Sequence, residues 1–134
     1  MSRLARARWR GGDRGFSTLE AVVVIPTVVL LTMLVVQYAM VWHARNLAKA
    51  AAQNGLRVAR GYGATSTQGQ ASATLYLHDV AGRLLTDTQV SADRGASTVV
   101  VTVRATVASV VPFGSFHVSE RAVGVTERFG GTGR

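Results

Sequence analysis

Residues 14–42 read RGFSTLEAVVVIPTVVLLTMLVVQYAMVW, and this stretch decides the organisation of the chain. Its last 22 residues, 21–42, carry no charge, and 12 of them are Val, Ile or Leu. A transmembrane helix needs about 20 consecutive, mainly apolar residues. At about −0.3 to −0.6 kcal/mol each on the insertion scale, the aliphatic residues outweigh the costs of Pro26 and Gln37. The stretch therefore predicts a helix that crosses a membrane once.

Glu20 stands at the edge of this apolar run, where an ionised carboxylate is costly unless it has a partner. Cleavage between Gly15 and Phe16 would supply one, because the new α-amino group of Phe16 is cationic near neutral pH. Phe16 and Glu20 are four residues apart, which places them on one face of a helix. The junction resembles that of type IV pilin-like precursors, which implies that a prepilin peptidase cuts the chain here. The alternative is an uncleaved signal anchor whose flank happens to contain Gly and Glu.

Positive charge is concentrated at the N-terminus. The chain has 15 Lys or Arg and 7 Asp or Glu, a formal net charge of +8, and residues 1–15 carry +4 of it. Basic residues beside an apolar span hold that flank in the cytoplasm. We therefore predict a basic cytoplasmic leader over 1–15, a span in the cytoplasmic membrane and an extracytoplasmic C-terminal domain. No aromatic or helix–turn–helix pattern accompanies the charge, so nucleic-acid binding is not expected.

The helical pattern continues beyond the span. Small apolar residues recur at steps of three and four as far as Ala59, which predicts one continuous helix over 16–60. The Ala- and Gly-rich stripe of its outer half packs either on the chain's own C-terminal domain or on identical or related helices, and the sequence leaves both open. Residues 61–69 predict a flexible linker, and residues 70–134 a small domain.

The predicted fold class is α+β and pilin-like, with a long N-terminal transmembrane helix, a short helix and a small antiparallel sheet. The strongest strand signal lies where Val residues alternate with Thr and Arg. The predicted elements of the domain are an amphipathic helix over 70–85, a brief strand over 86–91, a turn over 92–96, a strand over 97–108 and a partner strand over 117–128.

The combined pattern resembles the TadE-like proteins, pseudopilins of the tight-adherence pilus assembly system. Glu20 and Pro26 keep that family's spacing, and residues 55–57 (GLR) match its Gly-x-Arg. Gln37 departs from it, since relatives often carry an acid near the outer end of the helix, and Phe16 departs where many relatives have a small residue. The resemblance implies a pseudopilin-like protein in pilus assembly and adhesion, with the bilayer, a prepilin peptidase and other pilin or pseudopilin subunits as partners.

Pro26 lies inside the predicted helix, where it removes one backbone hydrogen bond and favours a kink. The simpler interpretation is an ordinary transmembrane Pro, because lipid-embedded helices tolerate it when neighbours satisfy the freed carbonyl. The other interpretation is a local weak point that helps the helix leave the bilayer.

Residue sets that carry chemistry are missing from the sequence. The chain has no Cys, its three His are scattered, and it contains neither a Gly-x-Ser-x-Gly elbow nor a phosphate-binding Gly loop. We therefore expect no enzyme activity, no cofactor, no metal and no small-molecule substrate. The competing function is an unprocessed single-pass membrane protein whose extracytoplasmic domain binds a surface ligand through Phe113 and Phe116.

Overall fold

The computed structural model describes residues 13–128, with side chains from residue 18 onward. Most of the predicted leader, residues 1–12, and the last six residues, 129–134, lie outside this range. A three-stranded antiparallel sheet in the order β1-β2-β3 follows two helices, so the predicted α+β fold is confirmed. The elements are α1 (Asp13–Ala59), α2 (Ser66–Ala81), β1 (Leu85–Arg94), β2 (Thr98–Val107) and β3 (Phe116–Val125).

The long helix α1 has a bare half and a packed half. Over residues 18–36 almost every side chain is exposed. From Gln37 onward one face of the helix is buried against the rest of the chain. The small-residue stripe therefore packs on the chain's own domain, which is the first of the two arrangements that the sequence leaves open. Its buried members are Ala44, Leu47, Ala48, Ala51, Ala52 and Ala59.

The central strand β2 supplies the largest fully buried side chains of the core. Its residues alternate between a buried and a partly exposed face, because successive side chains of a strand point to opposite sides. Val99, Val101 and Val103 are fully buried beneath the helices. Burial of a Val side chain contributes about 1.5–3 kcal/mol relative to exposure, so these positions hold the helices on the sheet.

The connection between the helices is shorter than the linker predicted over 61–69. The Thr65 hydroxyl accepts a hydrogen bond from the backbone N–H of Gln68 at 3.2 Å, and the Gln68 side chain accepts one from the N–H of Thr65 at 3.0 Å. This reciprocal capping box starts α2 at Ser66. Residues 66–69 are therefore helical, and Gly69 is buried against α1 rather than free in a loop.

The sheet also extends beyond its predicted limits at two places. β1 pairs with β2 from Leu85 to Arg94, so the turn between them is confined to residues 95–97. A bulge interrupts this pairing near Asp87, whose backbone adopts a positive φ of 48°. Phe116, one residue before the predicted strand over 117–128, is the first residue of β3 and packs against the core.

Candidate functional site

The predicted cleavage site lies in the first turn of α1. The backbones of Gly15 and Phe16 are helical, while their side chains lie outside the described part of the chain. Glu20 is exposed and stands one helical turn after Phe16. The structure thus brings the three predicted positions together at the start of the bare half of α1.

The bare half of α1 exposes large apolar side chains on all sides. A helix that is apolar all round is stable only when something buries it. Among the described residues, α1 is the one helix long and apolar enough to cross a membrane, and none of its most apolar window is buried. It therefore fits a single-pass membrane protein. The exposed side chains are Leu19, Val22, Val23, Val24, Ile25, Val28, Val29, Leu30, Leu31, Leu34, Val35 and Val36.

Two hydroxyl groups within this half are satisfied by the helix itself. The Thr27 hydroxyl donates to the Val23 carbonyl at 2.7 Å, and the Thr32 hydroxyl donates to the Val28 carbonyl at 2.8 Å. These hydroxyls need no water, so they add little to the cost of an apolar environment. α1 runs through Pro26 as one helix, and a kink there stays a prediction.

Gln37 joins α1 to the loop between β2 and β3, residues 108–115. It is 2% exposed, and its side-chain amide makes two hydrogen bonds to backbone groups of that loop. Gln37 Nε2 donates to the Ala108 carbonyl at 3.3 Å, and Gln37 Oε1 accepts from the Val110 N–H at 2.8 Å. A carboxylate could make only the second of these bonds, because it has no proton to donate. Gln37, which departs from the family pattern, therefore attaches the β2–β3 loop to α1 in this chain.

The opposite end of the packed half is held by Arg94. Its guanidinium donates to the carbonyl oxygens of Ala59 and Gly61, the latter at 3.2 Å. The last carbonyls of a helix have no partner within it, so this side chain caps α1. The Glu127 N–H also donates to the Arg60 carbonyl at 3.0 Å. The Gln37 contact and the Arg94 contact thus lie at the two ends of the segment that packs on the sheet.

The two aromatic residues of the competing ligand-binding hypothesis have different environments. Phe113 is 57% exposed at the tip of the β2–β3 loop, whereas Phe116 is half-buried against the core. Phe113 is therefore the more accessible of the two. Within the described part of the chain, no three His, Cys, Asp or Glu residues are grouped so as to hold a metal.

Some important residues could have been found from the sequence by signals already present in it. An amide within an apolar helix indicates a polar partner, which is the signal at Gln37. Thr65 and Gln68 have the spacing of a capping box. Arg94 gave no comparable signal, because its partners are backbone carbonyls 33 and 35 residues away.

Comparison with known families adds one finding. A family model described as TadE-like protein matches residues 15–57, which confirms the resemblance drawn from the sequence. The match begins at the predicted junction and ends within the packed half of α1, before α2 and the sheet. No curated protein and no solved structure matches the chain. The family match indicates a protein related to the Tad pilus.

Proposed function

We propose that this chain is a pseudopilin-like subunit of a tight-adherence pilus assembly. It is anchored in the cytoplasmic membrane by α1, with its N-terminus in the cytoplasm, and is cut by a prepilin peptidase between Gly15 and Phe16. The observation that carries the proposal is the division of α1 into a bare apolar half and a half joined to a small domain. The family match over residues 15–57 supports it.

The division of α1 suits a subunit that moves from lipid into an assembly. The hydroxyls of Thr27 and Thr32 are bonded within the helix, so neither is left unsatisfied when the bare half exchanges lipid for the apolar helices of neighbouring subunits. The Ala stripe of the outer half is occupied by the chain's own domain. Contacts between α1 helices of different subunits are therefore assigned to residues 18–36.

Glu20 is the residue that we expect to pair with the new N-terminus. After cleavage, the α-amino group of Phe16 would neutralise its carboxylate, either within one subunit or across to a neighbour. Such pairing removes the cost of an isolated charge at the lipid boundary. The chain is then a substrate of the peptidase and has no catalytic residue, cofactor or small-molecule substrate of its own.

Co-expression with a prepilin peptidase tests the proposal. The expected product begins at Phe16, and intact-mass measurement should show loss of the first 15 residues. Gly15→Val should abolish this cleavage, because a branched side chain replaces the small residue at the junction. Gly12→Val, three residues upstream, is the matched control and should be processed normally.

A protein that still carries residues 1–15 after co-expression with an active peptidase would contradict the proposal. The unprocessed single-pass protein with an extracytoplasmic binding domain would then be the better description. In that case Phe113→Ser should reduce ligand binding while residues 1–15 are retained, since Phe113 is the exposed aromatic residue of the β2–β3 loop.

A further inference from the structure

We infer that the β2–β3 loop, residues 108–115, is a second membrane contact that enters the lipid interface beside α1, with Phe113 at its tip. The inference rests on the proposed membrane anchor. It goes beyond that anchor, because it assigns a lipid-binding role to a part of the domain outside α1. It also fixes the height at which the domain sits above the bilayer.

Gln37 sets the depth of the β2–β3 loop relative to the bilayer. A hydrocarbon core about 30 Å thick corresponds to about 20 helical residues at a rise of about 1.5 Å each. With Glu20 at one boundary, the opposite boundary falls near residue 40, about 4 Å beyond Gln37. Gln37 is bonded to Ala108 and Val110, so the loop is carried to the same depth. A tilted helix would place Gln37 deeper still.

The composition of the β2–β3 loop suits the lipid interface. Residues 108–115 read ASVVPFGS and contain no charge. Val111 is buried and attaches the loop to the domain, whereas Val110 is 39% exposed and Phe113 is 57% exposed. Aromatic side chains are favoured at the boundary between lipid and water. The loop thus presents to the bilayer an uncharged surface with an aromatic tip.

The polar backbone groups of a non-helical segment must be satisfied when the segment approaches lipid. The Ala108 N–H donates to the Leu84 carbonyl at 2.9 Å. Gln37 satisfies the Ala108 carbonyl and the Val110 N–H. The Ser109 hydroxyl donates to the Val111 carbonyl at 3.0 Å, and Pro112 has no N–H to satisfy. The protein itself therefore supplies partners for four backbone groups of residues 108–111, where the loop joins the domain.

The orientation of the domain agrees with these arguments. The β1–β2 turn, residues 95–97, lies at the far end of the sheet, where Arg94 contacts the end of α1. The β2–β3 loop lies at the near end, beside the bare half of α1. Trp42 is exposed and stands about 33 Å along the helix from Glu20, which is the level of the lipid headgroups.

The test uses the full chain, which has no Cys, in liposomes of phosphatidylcholine and phosphatidylglycerol at one subunit or fewer per vesicle. Single-cysteine variants carry an environment-sensitive fluorophore. Ser115→Cys reports on the loop and leaves Phe113 in place. Ala96→Cys, in the distal turn, is the aqueous control, and Val28→Cys, in the bare half of α1, is the lipid control.

The label at Ser115 should be quenched by shallow spin-labelled lipid several-fold more than the label at Ala96. Phe113→Asp in the Ser115→Cys background should remove most of that quenching, because the tip then carries a charge. If the Ser115 label behaves like the Ala96 label while the Val28 label is quenched by lipid spin-labelled near the bilayer centre, the proposed membrane anchor is supported and the inference about the loop is wrong. Ser115 quenching that is undiminished by Phe113→Asp also overturns the role given to the tip.

Two other outcomes overturn the inference by different routes. If the Val28 label is not quenched by lipid spin-labelled near the bilayer centre, the proposed anchor is wrong and the inference fails with it. If the Ser115 label becomes shielded only at many subunits per vesicle, and without lipid quenching, the loop binds a second copy of the chain instead of the bilayer.

Discussion

Gly55 of α1 and Gly69 of α2 face each other where the two helices cross, and each leaves room for the backbone of the other. A Cβ added at Gly55 would lie 2.7 Å from the Gly69 carbonyl oxygen, and one added at Gly69 would lie 2.7 Å from the Gly55 carbonyl oxygen. Cβ atoms essentially never approach other heavy atoms within 3.0 Å. The absence of both side chains therefore allows α2 to pack closely on α1.

Gly55→Ala should destabilise the domain, although alanine favours helix by about 1 kcal/mol over glycine. Overpacking costs about 1–3 kcal/mol, and the added methyl would meet backbone that cannot move without separating the helices. We expect a lower urea midpoint for the full chain in detergent micelles, followed by circular dichroism. Gly61→Ala is the control, because its nearest new contact is 3.4 Å, to the Val58 carbonyl oxygen. Equal midpoints for the two variants would contradict the close crossing.

Gln37→Leu should loosen the β2–β3 loop from α1. It leaves the Ala108 carbonyl and the Val110 N–H without their partner, and an unsatisfied buried group costs about 1–3 kcal/mol. Gln37→Glu should have a similar effect, since an ionised carboxylate cannot donate to Ala108. Faster hydrogen exchange over residues 108–111 is the expected readout. Tyr38→Phe, at an exposed neighbouring position, should leave that exchange unchanged.

Arg94→Met should loosen the end of α1 while the sheet remains paired. The guanidinium bonds to the Ala59 and Gly61 carbonyls would be lost, and hydrogen bonds to charged groups contribute about 1.5–3 kcal/mol. The expected result is faster amide exchange at residues 59–64 and a lower unfolding temperature. Arg104→Met, on the exposed face of β2, provides the comparison. If both variants exchange alike, Arg94 does not cap the helix.

Glu20→Gln should leave cleavage after Gly15 intact and impair assembly. The change removes the carboxylate charge that the proposal pairs with the amine of Phe16, while membrane insertion improves slightly. The amount of protein in the sheared pilus fraction, compared with the membrane fraction, measures the effect. Glu127→Gln removes another exposed carboxylate, at the far end of the domain, and should assemble like the unmodified protein. Normal assembly of cleaved Glu20→Gln would argue against the pairing.

The helices and the central strand could be predicted because their signals are local and repeat along the chain. The apolar run 21–42 and the small-residue pattern up to Ala59 lead directly to α1. The alternation of Val residues likewise leads to β2, whose observed limits, Thr98–Val107, differ by one residue at each end from the prediction. The edge strand β1 was less predictable, because its polar sequence becomes a strand through pairing with β2.

The candidate site was predictable only in part. The positions of Gly15, Phe16 and Glu20 follow from spacing, and a continuous helix keeps that spacing in three dimensions. The contacts of Gln37 and Arg94 join residues between 33 and 73 positions apart, so no periodicity in the sequence reports them. The same limit applies to the Gly55 and Gly69 crossing, which requires knowledge of how α2 turns back along α1.

The attachment of the domain at both ends of the packed half of α1 has a mechanical consequence. A tension along the axis of α1 is shared by the Gln37 contact, the Arg94 contact and the Ala–Val interface between them, all loaded in shear at once. Peeling, which would break such contacts one after another, requires an end to be released first. A force applied to the bare half of α1, residues 18–36, is therefore transmitted to the whole domain at once.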